Sequence, residues 1–128
     1  MSLPKGLLLD THVFVWWRLN EPRLKEDARA TIAAAELVFV SVASAWEAAI
    51  KLALGKLRFP GSFEAAVLAS RFERLSIAFR HAEAVATLPH HHSDPFDRML
   101  IAQCLCERLV LVTRDRKLAA YGIEIIGV

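Results

Sequence analysis

The sequence predicts an α/β fold, a three-layer α/β/α sandwich around a mostly parallel central sheet of about five strands. Three observations predict it. Short apolar runs of strand length recur along the chain, stretches with helical periodicity separate them, and the runs suit strands buried on both faces. The first run, Gly6 to Leu9, ends in Asp10. Further runs are Leu37 to Val40, Leu75 to Ala78 (the weakest), Leu109 to Val112 and Ile123 to Ile126. Helical patterns lie between them at Lys25 to Ala35, Ala43 to Leu54, Ser62 to Phe72, His81 to Leu88 and Pro95 to Glu107. No repeat, low-complexity tract or long linker interrupts this alternation.

A chain of 128 residues has the size of one domain, expected to span 1–128. Its 55% hydrophobic content and mean hydropathy of +0.34 are high, which points to apolar surface buried against a partner as well as within the fold. No apolar run approaches the roughly 20 residues that span a bilayer, and the start does not resemble a signal peptide. A soluble, cytoplasmic protein with no membrane partner is expected. Met1, Ser2 and Leu3 are read as a possible cloning remnant and left out of the functional reading.

A net charge of +2 excludes a broad basic surface that holds nucleic acid by charge alone. Any contact with nucleic acid is local. Cys104 and Cys106, two apart in a helical pattern, point to nearly opposite sides, so they neither pair nor chelate a metal together. They suit a reducing compartment.

In open α/β sheets ligands gather outside the carboxyl ends of the strands. Asp10 ends the first strand, and Asp115 closely follows the fourth. Glu47 lies in the helix after the second strand, and Asp97 near the start of the helix leading into the fourth. Each also has a purely structural reading. Ser44 and Glu47 have the spacing of a capping box, Asp94-Pro95 looks like an N-cap followed by proline at the first helical position, and Asp97 is then an ordinary first-turn acid. Asp10 could cap the next helix and Asp115 a turn.

The combination carries more. Four acids at one edge repel one another and call for a cation. Oxygen ligands, without cysteine and with no histidine at these strand ends, favour Mg²⁺ or Mn²⁺ over zinc. The reaction suited to this arrangement is phosphodiester hydrolysis.

The chain resembles the PIN-domain nucleases, and specifically the VapC-type toxins of bacterial toxin–antitoxin pairs. The resemblance rests on Leu-Leu-Leu-Asp-Thr-His at 7–12, Ser-Ala-Trp-Glu-Ala-Ala-Ile-Lys-Leu-Ala-Leu-Gly-Lys-Leu at 44–57, Asp-Pro-Phe-Asp-Arg-Met-Leu-Ile-Ala-Gln at 94–103 and Thr-Arg-Asp at 113–115. It spans nearly the whole chain. It implies a PIN-like fold and makes Asp10, Glu47, Asp97 and Asp115 the catalytic and metal-binding acids, with RNA as substrate. It also implies a homodimer and a cognate antitoxin that inserts an arm over the acidic groove. The position five before Ala102 selects Asp97, leaving Asp94 as the cap with a possible water-mediated contact to metal.

Supporting roles fall to Thr11 and Thr113, which could orient a carboxylate or metal-bound water or simply bond the local backbone. Lys51, four residues after Glu47, is a surface ion pair or a partner beside the site. Arg98, Arg114, Arg116 and Lys117 are candidate phosphate contacts. His90, His91 and His92 read as an exposed loop, and Trp16 and Trp17 as core or interface residues.

Other readings fit less well. An aspartyl-phosphate phosphatase normally has another acid two residues after the first, where this chain has Thr11 and His12. The acids lie in the wrong segments for a receiver-type signalling domain. The glycine-rich turn of a dinucleotide-binding domain is missing. The rival of a different class is an acidic-groove binding module that captures a basic peptide with little or no turnover.

Overall fold

A computed structural model of the chain describes residues 4–128, so Met1, Ser2 and Leu3 lie outside the described residues. In chain order the elements are β1 (Gly6–Leu9), α1 (Thr11–Arg18), α2 (Glu26–Ala34), β2 (Val38–Ser41), α3 (Val42–Ala53), α4 (Phe63–Ala69), β3 (Glu73–Leu75), α5 (Phe79–Val85), α6 (Pro95–Glu107), β4 (Leu109–Thr113), a 3-10 helix (Arg116–Tyr121) and β5 (Ile125–Gly127). The five strands form one sheet in the order β3-β2-β1-β4-β5, and every pairing is parallel.

Strand period two divides the core. Leu7 and Leu9, Val38 and Val40, and Val110 and Val112 face one layer, with Val13, Phe14, Ile32, Val67 and Phe72. Leu8, Phe39, Leu109 and Leu111 face the other, with Leu100, Ile101, Leu118 and Tyr121. Helices α1, α2 and α4 thus cover one face, and α6 with the 3-10 helix the other, the three-layer α/β/α arrangement that the sequence predicts.

β5 at Ile125–Gly127 and α5 at Phe79–Val85 lie one to three residues from the expected 123–126 and 81–88, and two further departures have a clear cause. The third strand lies at Glu73–Leu75 rather than 75–78, because β2 pairs Phe39, Val40 and Ser41 with Glu73, Arg74 and Leu75. As an edge strand with exposed Glu73 and Arg74, it lacks an apolar run. Helix α3 begins at Val42 and is capped by Ser41, whose Oγ accepts from the Ala43 N–H at 3.0 Å. Ser44 is therefore inside the helix, and the expected Ser44–Glu47 capping box does not form.

Strands β2 and β4 flank β1 on opposite sides, so the chain diverges from β1 in two directions at their carboxyl ends. That divergence opens a crevice at the sheet edge where Asp10 and Asp115 emerge.

Candidate active site

A cleft of about 550 Å³ occupies this crevice, lined by Asp10, Glu47, Asp94, Asp97 and Asp115 together with His12, Val13, Trp16, Arg23, Lys51 and Arg114. All four acids singled out from the sequence meet here, and Asp94 joins them.

Asp10 follows β1 with extended backbone and caps α1, its Oδ1 accepting from the Thr11 N–H at 2.7 Å. Its Oδ2 accepts from the Thr113 hydroxyl at 2.7 Å. Capping and a place in the cleft are compatible, since each carboxylate oxygen accepts one hydrogen bond and keeps a further lone pair. Burial raises the Asp10 pKa and Glu47 adds to the rise, against the opposing hydrogen bonds from Thr113 and Thr11.

Glu47 is buried. Its Oε1 accepts from the Thr11 hydroxyl at 2.6 Å, and its Oε2 pairs with Lys51 Nζ at 2.9 Å. Both threonines expected to support the site thus hold its carboxylates, and Lys51 supplies the nearest positive charge.

Asp94 caps α6 as its sequence suggests, its Oδ1 accepting from the Phe96 and Asp97 N–H groups at 2.8 and 3.0 Å, with Pro95 following. Asp97 sits in the first turn, turned into the cleft. Burial, with the charges of Asp10 and then Asp94, pushes its pKa up to about 7, against the opposing influence of His92. Asp115 caps the 3-10 helix through the Lys117 N–H at 3.1 Å, and its own N–H donates to Thr113 Oγ1 at 3.0 Å.

The expected basic contacts divide. Arg114 lines the cleft, its guanidinium 5.6 Å from the centre of the Trp16 ring. Arg116 packs against Gly127 and lines a different hollow, while exposed Lys117 does not line the cleft. Arg98 corrects an expectation. It is 8% exposed, and its guanidinium donates to the carbonyls of Val85, Leu88, Pro89 and His92 and to Tyr121 Oη. A fork committed to so many acceptors is a structural tie and not a phosphate contact. Trp16 belongs to the core, and Trp17 packs at its edge.

Three contributors escaped the sequence reading. Arg23, in the α1–α2 connection, lines the cleft and lies 5.4 Å from the Trp16 ring centre, with no local motif to mark it. His12, one residue into α1, lines the cleft as well. His92 is half-buried with Nε2 2.8 Å from Asp97 Oδ2, so the histidine loop is not wholly exposed. Its only signal was proximity to Asp97 in the chain.

The acidic donors lining the cleft are five carboxylates, beside the single imidazole of His12, and a set dominated by carboxylate oxygens is the chemistry of a hard divalent cation. Among the described residues, no three acidic, histidine or cysteine side chains close into a metal cage. An open set suits Mg²⁺, which keeps several waters and takes one or two protein carboxylates plus substrate phosphate oxygens. Burial, with the neighbouring carboxylate charges adding to it, raises the Asp10 and Asp97 pKa values, and a bound cation would favour the charged carboxylates against both.

A family model described as the PIN domain matches residues 7–124. Similar solved structures include VapBC2 from Rickettsia felis bound to a DNA fragment from their promoter, with a TM-score of 0.71, 14% identity, and coverage of 94% of this chain and 97% of that one. FitAcB from Neisseria gonorrhoeae has a TM-score of 0.65 and 20% identity over 94% of this chain and 96% of that one. DNA-bound VapBC from Salmonella typhimurium has a TM-score of 0.64 and 19% identity, covering 98% of each chain. At these identities the likeness establishes the fold alone. No curated protein matches the sequence.

Proposed function

The chain belongs to the PIN-domain family, and on that premise we propose that it is a Mg²⁺- or Mn²⁺-dependent endoribonuclease acting as the toxin of a toxin–antitoxin pair. PIN domains are generally nucleases. The observation that carries the reading is the meeting of Asp10, Glu47, Asp97 and Asp115 in one cleft at the sheet's divergence point, with Arg23, Lys51 and Arg114 beside them.

Asp10, Glu47, Asp97 and Asp115 are the residues that would hold the cation, and Asp94, which lines the same cleft, would touch it through water. When bound, the cation supplies activation of water as a nucleophile and neutralisation of charge on the attacked phosphate and leaving oxygen. Thr113 and Thr11 fix the carboxylates of Asp10 and Glu47, so neither must reorganise when substrate arrives. Arg23 and Arg114, which line the cleft, would bind flanking phosphates, and Lys51 balances the charge of Glu47.

The partners proposed are RNA, a cognate antitoxin and a second copy of the chain. The similar VapBC structures and a Klebsiella pneumoniae toxin–antitoxin complex support the antitoxin, whose basic arm would compete for the acidic cleft. Val42, Trp46 and Ile50 of α3 and Leu54 at its C-cap, exposed at four-residue spacing, support a homodimer. No helix among the described residues is long and apolar enough to cross a membrane, and a cytoplasmic location is proposed.

The test is cleavage of a mixed RNA pool by partner-free protein in Mg²⁺, Mn²⁺ or EDTA, beside Asp10→Asn. Cleavage is expected only for the unaltered protein with metal. Activity persisting in EDTA or in the variant would sink the metal-nuclease reading, and no cleavage under any metal favours the binding module.

A further inference from the structure

We propose that His92 is a positioning residue for the metal-binding carboxylate of Asp97, set in place by a buried clamp built on Arg98 and Tyr121. This rests on the metal-nuclease reading above, and it assigns work to a loop that neither the motifs nor the acid cluster account for.

The geometry starts at the carboxylate. Asp97 lines the cleft, and its Oδ2 lies 2.8 Å from Nε2 of His92, which is not among the cleft's lining residues. A carboxylate that gives one oxygen to a cation keeps its orientation best when the other is held by a donor, and imidazole N–H is such a donor. Asp94 fixes the Asp97 backbone through its N–H, while His92 fixes the side chain.

A histidine in the α5–α6 connection holds a carboxylate only if the connection itself is held. Arg98 does this. Its Nη1 donates to the carbonyls of Pro89 at 2.9 Å and His92 at 3.4 Å, and to Tyr121 Oη at 3.3 Å. Its Nη2 donates to Val85 and Leu88 carbonyls, both at 3.2 Å. The Tyr121 hydroxyl donates to the His92 carbonyl at 3.4 Å, and the His91 ring meets the Tyr121 ring edge-on at 5.0 Å. Asp97 and Arg98 are thus neighbours with divided tasks. One faces the cleft, and the other ties down the loop that returns His92 to the first.

The test is Mn²⁺ binding to the full chain, followed by the paramagnetic resonance signal of free Mn²⁺, for the unaltered protein, His92→Ala and His92→Gln. His92→Ala is expected to weaken Mn²⁺ binding by about 10- to 100-fold. His92→Gln, whose amide N–H reaches a similar position, should recover most of that loss. Cleavage by His92→Ala should rise toward the unaltered rate at high Mn²⁺, so the metal concentration for half activity moves more than kcat. If His92→Ala unfolds, His92→Leu removes the donor while retaining side-chain bulk, and the same shift is expected. Equal Mn²⁺ affinity in the unaltered and donor-free proteins would overturn the positioning role while leaving the nuclease reading standing. An unaltered protein that binds no Mn²⁺ would overturn the metal reading, and this proposal with it.

Discussion

Thr11 Oγ1 lies 2.6 Å from Glu47 Oε1, joining the first residue of α1 to the middle of α3 across 36 positions of sequence. Both side chains are buried, and Ser44 Oγ lies within 2.9 Å of the same hydroxyl. Thr11→Val preserves shape and removes the donor, leaving one oxygen of a buried carboxylate without it. The expected loss is about 1.5–3 kcal/mol of stability, read from denaturant midpoints. Cleavage should fall along with it, and Thr11→Ser should restore both.

The elevated Asp97 pKa sets a pH dependence whose direction follows from proton counting. An unfolded aspartate releases its proton near 3.8 and the folded one near 7, so between these values the folded chain holds more protons. In metal-free protein the Asp97 contribution to stability is therefore largest at low pH and falls as pH rises toward 7, by at most about 1.4 kcal/mol per unit. Asp97→Asn should remove that slope and stabilise the metal-free protein at pH 8. Mn²⁺ competes with the same proton, so its affinity should rise from pH 6 to pH 8. Chemical denaturation across pH, with calorimetric Mn²⁺ titration, checks both directions.

The sequence made the sheet and the acids legible for one reason: buried parallel strands leave continuous apolar runs, and acids that follow them emerge at one edge. It failed where tertiary contact overrides local pattern. Glu47 has capping-box spacing with Ser44, yet β2 continues to Ser41, which caps a helix that begins at Val42, so Glu47 bonds Thr11 instead. Arg98 follows a site acid in the chain but turns toward loop carbonyls, because side chains one residue apart on a helix face different ways. Arg23 enters the cleft only because the α1–α2 connection folds back over Trp16, a placement no short motif encodes.

Arg98 offers a sharp test of the loop clamp. Lysine keeps the charge but is a compact ammonium that cannot spread donors over the carbonyls of Val85, Leu88, Pro89 and His92. Arg98→Lys is expected to destabilise the protein by about 3 kcal/mol, since several buried acceptors lose their donor. Hydrogen exchange should then quicken at the backbone amides of residues 86–93 more than in the sheet.

Arg23 and Arg114 both lie over the Trp16 ring, at 5.4 and 5.6 Å from its centre. That buried ring gives two long side chains a common surface beside the acids, through cation–π attraction, and Arg23 is further held by Glu21, whose Oε2 accepts from its Nε and Nη2 at 3.2 and 2.8 Å. If they bind RNA phosphates, Arg23→Ala and Arg114→Ala should each raise KM for RNA by about 3- to 10-fold, as loss of roughly 1 kcal/mol of contact implies, with kcat little changed. Salt supplies the more specific check. Each phosphate contact to single-stranded RNA contributes about 0.7 to the slope of log affinity against log salt. Each variant should therefore flatten that slope by about this amount, and the double variant by twice it. Variants that lower kcat at unchanged KM and unchanged salt slope would instead place these arginines at the reacting phosphate, where their charge acts in the transition state alone.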